Sequence, residues 1–459
     1  MSGTNLYIGE RMRTNSDFLR LDLNLENPVK TLNDMNEYKE DFHYYDIIDG
    51  KEVTVNDVHL TACLFFRDGH LQETREHLRD CISQYMALFG EHITWGFNSK
   101  NRRWTEKPFD KLPSFNEILE ERKDPDDVIE WFVSAGNHKL MQEAVPYELF
   151  CLTERDWQLE NISQLRFRVD RADFFNPDKQ AVIINLFNYC VHKLNPYFAY
   201  MGWGTAIGYE KEYGFDELNQ CKKFIGIAVP STWDAVAMHH GIRSIDWWTY
   251  ISDDLAERIG GRNKLLEQVT AKSVEHKLYD NGVLLIADEV PQLLPADEPI
   301  PQSYLDVNDI CRPMRNGHYG SLRLMNEYDG GIGYQTFNAY FTDLWLRRFD
   351  DPNLWRAFPQ KSKPDITAEP IKSETGDVIA VKTGEVCQQD GRYIYLDEYD
   401  YNRGQFRYHN INEYDGQLID YRQYVVLKKG DIAPYFIHMD TNWRTVEAME
   451  ITWTLVEVL

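Results

Sequence analysis

The stretch "HLTACLFFRDGHLQETREHLRDCISQYMALFGEHITWGF" constrains this chain most, because its hydrophobic period changes twice within it. Leu60, Ala62, Leu64 and Phe66 alternate, which places one apolar face on a strand. After the "RDG" turn, Leu71, Leu78, Cys81, Ile82, Tyr85 and Phe89 share one helical stripe that ends at Gly90. "HITWGF" then returns to an extended pattern. A one-sided strand and a one-sided helix must bury their apolar sides against each other, so a layered sheet with helices on it follows.

The same order recurs about a hundred residues later. "QLRFRVD" alternates Leu165, Phe167 and Val169. "PDKQAVIINLFNYCVHKL" reads as an apolar helix with Pro177 in its first turn, where the missing N–H costs nothing. "YFAYMGWGTAIGY" is extended again. The expected fold class is α+β: a large domain of mixed or antiparallel sheet with packed helices. Two related halves are one arrangement that this repeat permits.

Between the two units, "ERKDPDDVIEWFVSAG" reads as a charged turn entering a short helix. "GVLLIAD" reads as a buried strand and "EVPQLLPADEPIPQS" as a proline-rich surface loop. Helices are expected at about 304–311 and near "YFTDLWLRRFDDPNLWRAF". "PQKSKPDITAEP", residues 359–370, has linker character. Beyond it only short β-like runs occur, separated by Gly, Asn and Asp. The expected divisions are an N-terminal segment 1–50, a large domain 51–358 and a small all-β domain 371–459.

Charge narrows the function. The 459 residues carry 49 basic and 74 acidic side chains, a formal charge of -25. Displacing counterions from nucleic acid needs the opposite sign, so direct nucleic-acid binding is not expected. The excess would steer a basic partner toward the surface. Seven scattered cysteines without a Cys-x-x-Cys pair fit reduced thiols. The N-terminus lacks an apolar signal core, and no apolar run approaches the roughly 20 residues of a spanning helix. A cytoplasmic protein without membrane contact is the expectation.

Catalytic signatures are weak. His239 and His240 are adjacent, so on a strand they point to opposite faces and on a helix they diverge by about 100°. Neither geometry puts both imidazoles on one metal, and His-Glu-x-x-His spacing is absent. Two satisfied histidines at a turn are the plainer reading. A metal-assisted hydrolase using His239, His240 and Asp246 is the alternative. "MGWGTAIGY" misses the dinucleotide fingerprint by one position. "YDYNRGQFRYHNINE" does not place its carboxylates as a calcium loop requires.

Aromatic and acidic residues are densest near the C-terminus, where Tyr399 lies among Asp397, Glu398 and Asp400, followed by Glu413 and Asp415. Tyrosine is enriched at interfaces and acidic neighbours steer basic partners. These residues, with the acidic turn containing Asp124, Asp126 and Asp127, are the candidate partner-binding set.

"LTACLFFRDGHLQETREHLRDCISQYMALFGEHITWGF", "HHGIRSIDWWTYISDDLAERIGG", "GVLLIADEVPQL" and "WLRRFDD" occur in this order. Together they resemble the TsiV-like type VI secretion immunity proteins over about residues 60–350. The resemblance implies that residues 241–261 form a strand and a short helix ending at Gly260–Gly261. Trp247 or Trp248 would pack under the sheet, with Leu255 and Ile259 holding the helix. "TGEVCQQDGRYIYLD" and "VVLKKGDIAPY" are similar to a small β module that accompanies some immunity domains. Gln388 and Tyr393 depart from its usual proline and tryptophan.

The resemblance implies an immunity protein, not an enzyme, that neutralises a cognate effector toxin with a basic surface, a nuclease being one option. No catalytic residue, metal or cofactor is expected. A secretion-associated adaptor is a further alternative. Nothing in the sequence specifies the oligomer.

Overall fold

The computed structural model describes residues 28–98, 105–208 and 214–316 apart from a few loop positions, scattered residues between 322 and 350, and strand segments between 370 and 458. Two short helices, α1 (Leu32–Glu37) and α2 (Lys39–Phe42), lead into a hairpin of β1 (Tyr44–Ile48) and β2 (Lys51–Phe66). Its turn is Asp49–Gly50, both at positive φ, the geometry that matches strand twist in a two-residue hairpin. There follow α3 (Gln72–Phe89), β3 (Trp95–Asn98), β4 (Thr105–Pro108), α4 (Phe115–Glu121), β5 (Glu130–Ser134), β6 (Glu148–Leu152) and β7 (Ser163–Val169). Next come α5 (Arg171–Phe174), α6 (Pro177–Leu194), β8 (Phe198–Ile207), β9 (Trp248–Ser252), β10 (Glu275–Tyr279) and β11 (Gly282–Ile286).

These strands form one eleven-stranded sheet in the order β10-β11-β9-β8-β2-β7-β6-β5-β3-β4, with β1 on β2. Every pairing is antiparallel. The α+β class holds, with the antiparallel form of the sheet. β2 lies at the centre, paired with β7 on one flank and β8 on the other.

Register explains the two faces. Leu60, Ala62 and Leu64 stand opposite Val169, Phe167 and Leu165. On that face Tyr85 of α3 meets Phe167, with ring centroids 5.8 Å apart. The alternate positions put Thr61 opposite Arg168 and Cys63 opposite Arg166, with Glu148 and Phe150 on the next strand. Arg166 and Arg168 donate to the two oxygens of Glu148, at 2.8 and 3.2 Å, and all three are buried. The sheet is therefore covered on both sides.

That double burial accounts for two departures from expectation. Residues 130–134 form β5, not a helix, with Trp131 and Val133 in the main core and Phe132 in a separate cluster with Trp95, Phe97 and Phe150. A strand apolar on both faces loses its alternation and cannot be told from a buried helix by periodicity. The proline-rich segment is irregular but interior: Leu293 and Leu294 are buried, and their carbonyls accept from the N–H groups of Gly226 and Ile225 at 2.8 Å each.

The resemblance-based placements hold. Trp247 and Trp248 are buried and stacked, and Leu255 is buried in the helix Asp253–Ala256. Gly260 follows at φ 98°, a left-handed cap that favours glycine. The helix expected at 304–311 spans Gln302–Cys311, and Trp345 and Leu346 are helical within a segment otherwise largely outside the described residues. Of the "MGWGTAIGY" glycines, Gly202 and Gly204 belong to the interior of β8 and Gly208 follows its end. At Gly202 a Cβ would meet Asp246 Oδ1 at 2.1 Å, so close packing and not a phosphate requires it.

Residues 28–50 share the main core: Val29, Met35 and Phe42 are buried, and Gln292 bonds both the N–H and the carbonyl of Val29. Toward the C-terminus are β12 (Ala380–Lys382), β13 (Gly391–Ile394), β14 (Tyr399–Asp400), β15 (Gln405–Phe406), β16 (Tyr424–Leu427), β17 (Phe436–Met439), β18 (Thr445–Met449) and β19 (Thr452–Val458). A four-stranded sheet, β12-β19-β13-β16, has its own core of Val381, Cys387, Tyr393, Leu427, Trp453 and Leu455. Asp431, beside this sheet, pairs with Arg347 at 3.1 Å. All seven cysteines are free and buried. No helix among the described residues is long and apolar enough to cross a membrane.

Candidate partner-binding site

One end of the central sheet gathers three loops. The first, residues 67–70, leaves β2. The second, 122–127, enters β5, and the third, 153–156, leaves β6. Antiparallel register brings them together, since Phe65 pairs with Gln164, Gln164 with Leu152, and Leu152 with Glu130.

Arg75 organises two of these loops. It lies on the apolar stripe of α3 between Leu71 and Leu78 and is 1% exposed. Its Nε donates to the carbonyl of Gly69 at 3.1 Å. Its Nη1 donates to Arg122 and Asp124 carbonyls at 2.8 and 3.2 Å, and Nη2 to the Asp127 carbonyl at 2.7 Å. A buried cation thus spends its donors on backbone, and the carboxylates of those loops are left pointing elsewhere. Burial draws its guanidinium below the ordinary range, against the pull of Asp127 and Asp124.

The acidic turn is further defined by its own side chains. Asp124 Oδ1 accepts from the Asp126 N–H at 3.0 Å, and the Asp127 N–H returns to the Asp124 carbonyl at 2.9 Å. The Asp156 N–H reaches the Pro125 carbonyl at 3.1 Å and joins the third loop to the second. Asp68, Asp124, Asp126 and Asp156 are exposed, and Asp127 is half-buried. Nearby cations are partly engaged: Arg67 pairs with Asp254 at 3.1 Å and Lys123 with Glu120 at 2.6 Å.

Beneath the surface lies Glu154. It accepts from Ser163 Oγ at 2.5 Å and the Gly69 N–H at 2.9 Å, and burial pushes its carboxyl up despite them. His70 bridges it to the exposed Asp156, at 3.6 and 3.4 Å. Asp68, His70 and Glu154 form the one group of three potential metal ligands among the described residues. Glu154 already serves two protein donors, and we read the group as a brace for the loops.

Of the residues singled out from sequence, Asp124, Asp126 and Asp127 stand together at this site. Tyr399 and Asp400 form β14, paired with β15, while Asp397, Glu398, Glu413 and Asp415 lie outside the described residues. So do His239 and His240. Asp246 is enclosed in the core, where burial pushes its carboxyl up to about 6 against the attraction of Arg348 and Arg243. Asp68, Glu154, Asp156 and Arg75 were not singled out. The available signal was Arg75, a charged residue on an otherwise apolar helical stripe.

Residues 77–349 match the family described as TsiV, type VI immunity for VRR-NUC. The chain belongs to the TsiV family. The TsiV match includes the second and third acidic loops and begins just after Arg75. Among solved structures, the fold is similar to the type VI secretion protein PA0821 of Pseudomonas aeruginosa. The TM-score is 0.58 at 19% identity, over 70% of this chain and 92% of that one. No curated protein matches. As a TsiV member the chain is a type VI immunity protein, and its architecture is shared with a protein of that secretion system.

Proposed function

We propose that this protein binds and neutralises, without catalysis, a type VI effector bearing a VRR-NUC nuclease domain, and so protects the producing cell from its cytoplasm. The observation that carries the reading is the set of exposed carboxylates at 67–70, 122–127 and 153–156, the first two loops held by a buried arginine bonded to backbone and the third tied to the second by the Asp156 N–H. A nuclease must present cationic groups to phosphates. Carboxylates fixed before binding meet such a surface without the entropic cost of ordering loops, and they accelerate encounter by steering. We further propose that the C-terminal set around Asp397, Glu398, Tyr399, Asp400, Glu413 and Asp415 adds to the acidic contact.

The test is titration of the full chain into a catalytically competent VRR-NUC effector from the same cell, following DNA cleavage and complex formation. We expect cleavage to stop at equimolar inhibitor and association to slow steeply as salt rises. Undiminished cleavage in the presence of excess immunity protein, with no complex by sedimentation, would reject the reading.

A further inference from the structure

β10, "EHKLY", is an edge of the eleven-stranded sheet and among the described residues pairs with β11 alone. The two strands join through Asp280–Asn281, with Tyr279 opposite Gly282. A two-residue hairpin closes on a hydrogen-bonded pair, and such pairs then alternate along the ladder. Glu275, Lys277 and Tyr279 therefore turn their backbone groups to β11, and His276 and Leu278 turn theirs outward. Residues 275–278 are exposed. Leu278 is 57% exposed although Val283, opposite it on β11, is buried. The Lys277 ammonium lies over the Tyr279 ring at 5.0 Å. In a chain of formal charge -25, residues 258–279 carry five basic and two acidic side chains, so the acidity that keeps copies of the chain apart is offset locally.

We propose that two copies of this chain pair edge to edge through β10, antiparallel, with His276 on the twofold axis. In that register the two His276 backbones exchange hydrogen bonds. Each Leu278 N–H reaches the partner's Val274 carbonyl, which within the chain meets only the His276 ring, at 3.3 Å. The Val274 N–H stays with Val269, at 3.0 Å. Each Glu275 faces the partner's Lys277 in a non-hydrogen-bonded pair, where side chains stand closest. Each Leu278 covers the partner's Val274. The neighbouring twofold registers, centred on Lys277 or on Glu275, set like charges face to face and are disfavoured. So short a contact gives a weak, concentration-dependent dimer. The pairing does not depend on the immunity reading. It leaves the acidic loops open, since they belong to β2, β5 and β6, at least four strands along the sheet.

The experiment is sedimentation equilibrium of the full chain over a concentration series, for wild type, Glu275→Lys, Lys277→Glu and an equimolar mixture of the two variants. Either variant alone sets like charges opposite each other at both pairs, and its dimer should weaken about tenfold. In the mixture each new lysine meets a glutamate, so a dimer of wild-type strength should return. Melting temperatures should not change, because both side chains are exposed. A wild-type chain that stays monomeric up to its highest soluble concentration overturns the proposal. So does a dimer that neither variant weakens, or one that the mixture fails to restore. Should a variant unfold, hydrogen exchange of the wild type decides: the His276 and Leu278 amides should slow as concentration rises, and unchanged exchange in a dimer places its interface elsewhere.

Discussion

The two ends of β2 are built on opposite plans. Its C-terminal end opens into three joined loops, two of them gripped through their backbone by buried Arg75, with Asp68, Asp124, Asp126 and Asp156 facing solvent. Its N-terminal end continues as the β1–β2 hairpin, on which Tyr45 and Ile47 are exposed. Sixteen residues at about 3.3 Å each set the two ends roughly 50 Å apart. The first end has given up adaptability for preorganised charge. The second presents exposed apolar side chains and few fixed charges. A partner engaging both must do so with different parts of itself.

The largest expected effect tests the preorganised end. Arg75→Met keeps the apolar stripe of α3 but removes the donor to four carbonyls, of which that of Asp124 retains the Asp127 N–H. Chemical denaturation should show a loss of about 4 kcal/mol. Effector affinity should fall with it even under conditions where the variant remains folded. A variant as stable as wild type would mean that the loops hold themselves, and the contrast between the ends would disappear.

Acidity separates the same strand in a second way. Near its N-terminal half, His59 is buried beside Asp57, which also accepts from His43 and Arg171. Burial lowers the His59 imidazole from 6.5 to about 4, against the attraction of Asp57. The unfolded chain then takes up the proton first, so stability present above about pH 6.5 drains away toward pH 4, by up to about 3 kcal/mol. At the other end Glu154 is raised, so the folded state holds its proton and stability falls as pH rises past the ordinary carboxyl range. His59→Gln should flatten the acid limb of the melting temperature against pH, and Glu154→Gln should change the profile with the opposite sign. Parallel responses would refute this assignment.

How much of this was legible in the sequence follows from what covers each element. α3, α6 and β7 were readable because each alternates apolar with polar or charged side chains, so the period survives. β5 was not, because Trp131, Phe132 and Val133 are all buried and the alternation is lost. Arg166 and Arg168 look like a solvated face of β7, yet they share a buried carboxylate, and Glu148 lies too far along the chain for spacing to reveal it. The acidic turn at Asp124–Asp127 was visible by composition. Its companions Asp68 and Asp156 were not, because only antiparallel register brings three distant loops to one end.

Neutralising the acidic end should be felt in binding and hardly in folding. Asp124→Asn, Asp126→Asn and Asp156→Asn together remove three exposed charges while preserving shape. Stability should shift by less than about 0.5 kcal/mol. Association should slow about tenfold at low salt and lose much of its salt dependence, with dissociation little changed. A full loss confined to dissociation would mean that these carboxylates are buried contacts and not steering groups.

The smallest effect sharpens the comparison most. If the two ends meet separate parts of the effector, the three asparagines and Tyr45→Ala/Ile47→Ala should act independently. Sites this far apart without shared partners add to within about 0.5 kcal/mol. The combined variant should therefore show the slower association of one set and the faster dissociation of the other, with no surplus. A coupling well above that limit would mean that one end responds to occupation of the other. The rigid span of β2, paired on both flanks, would then be the physical route to examine.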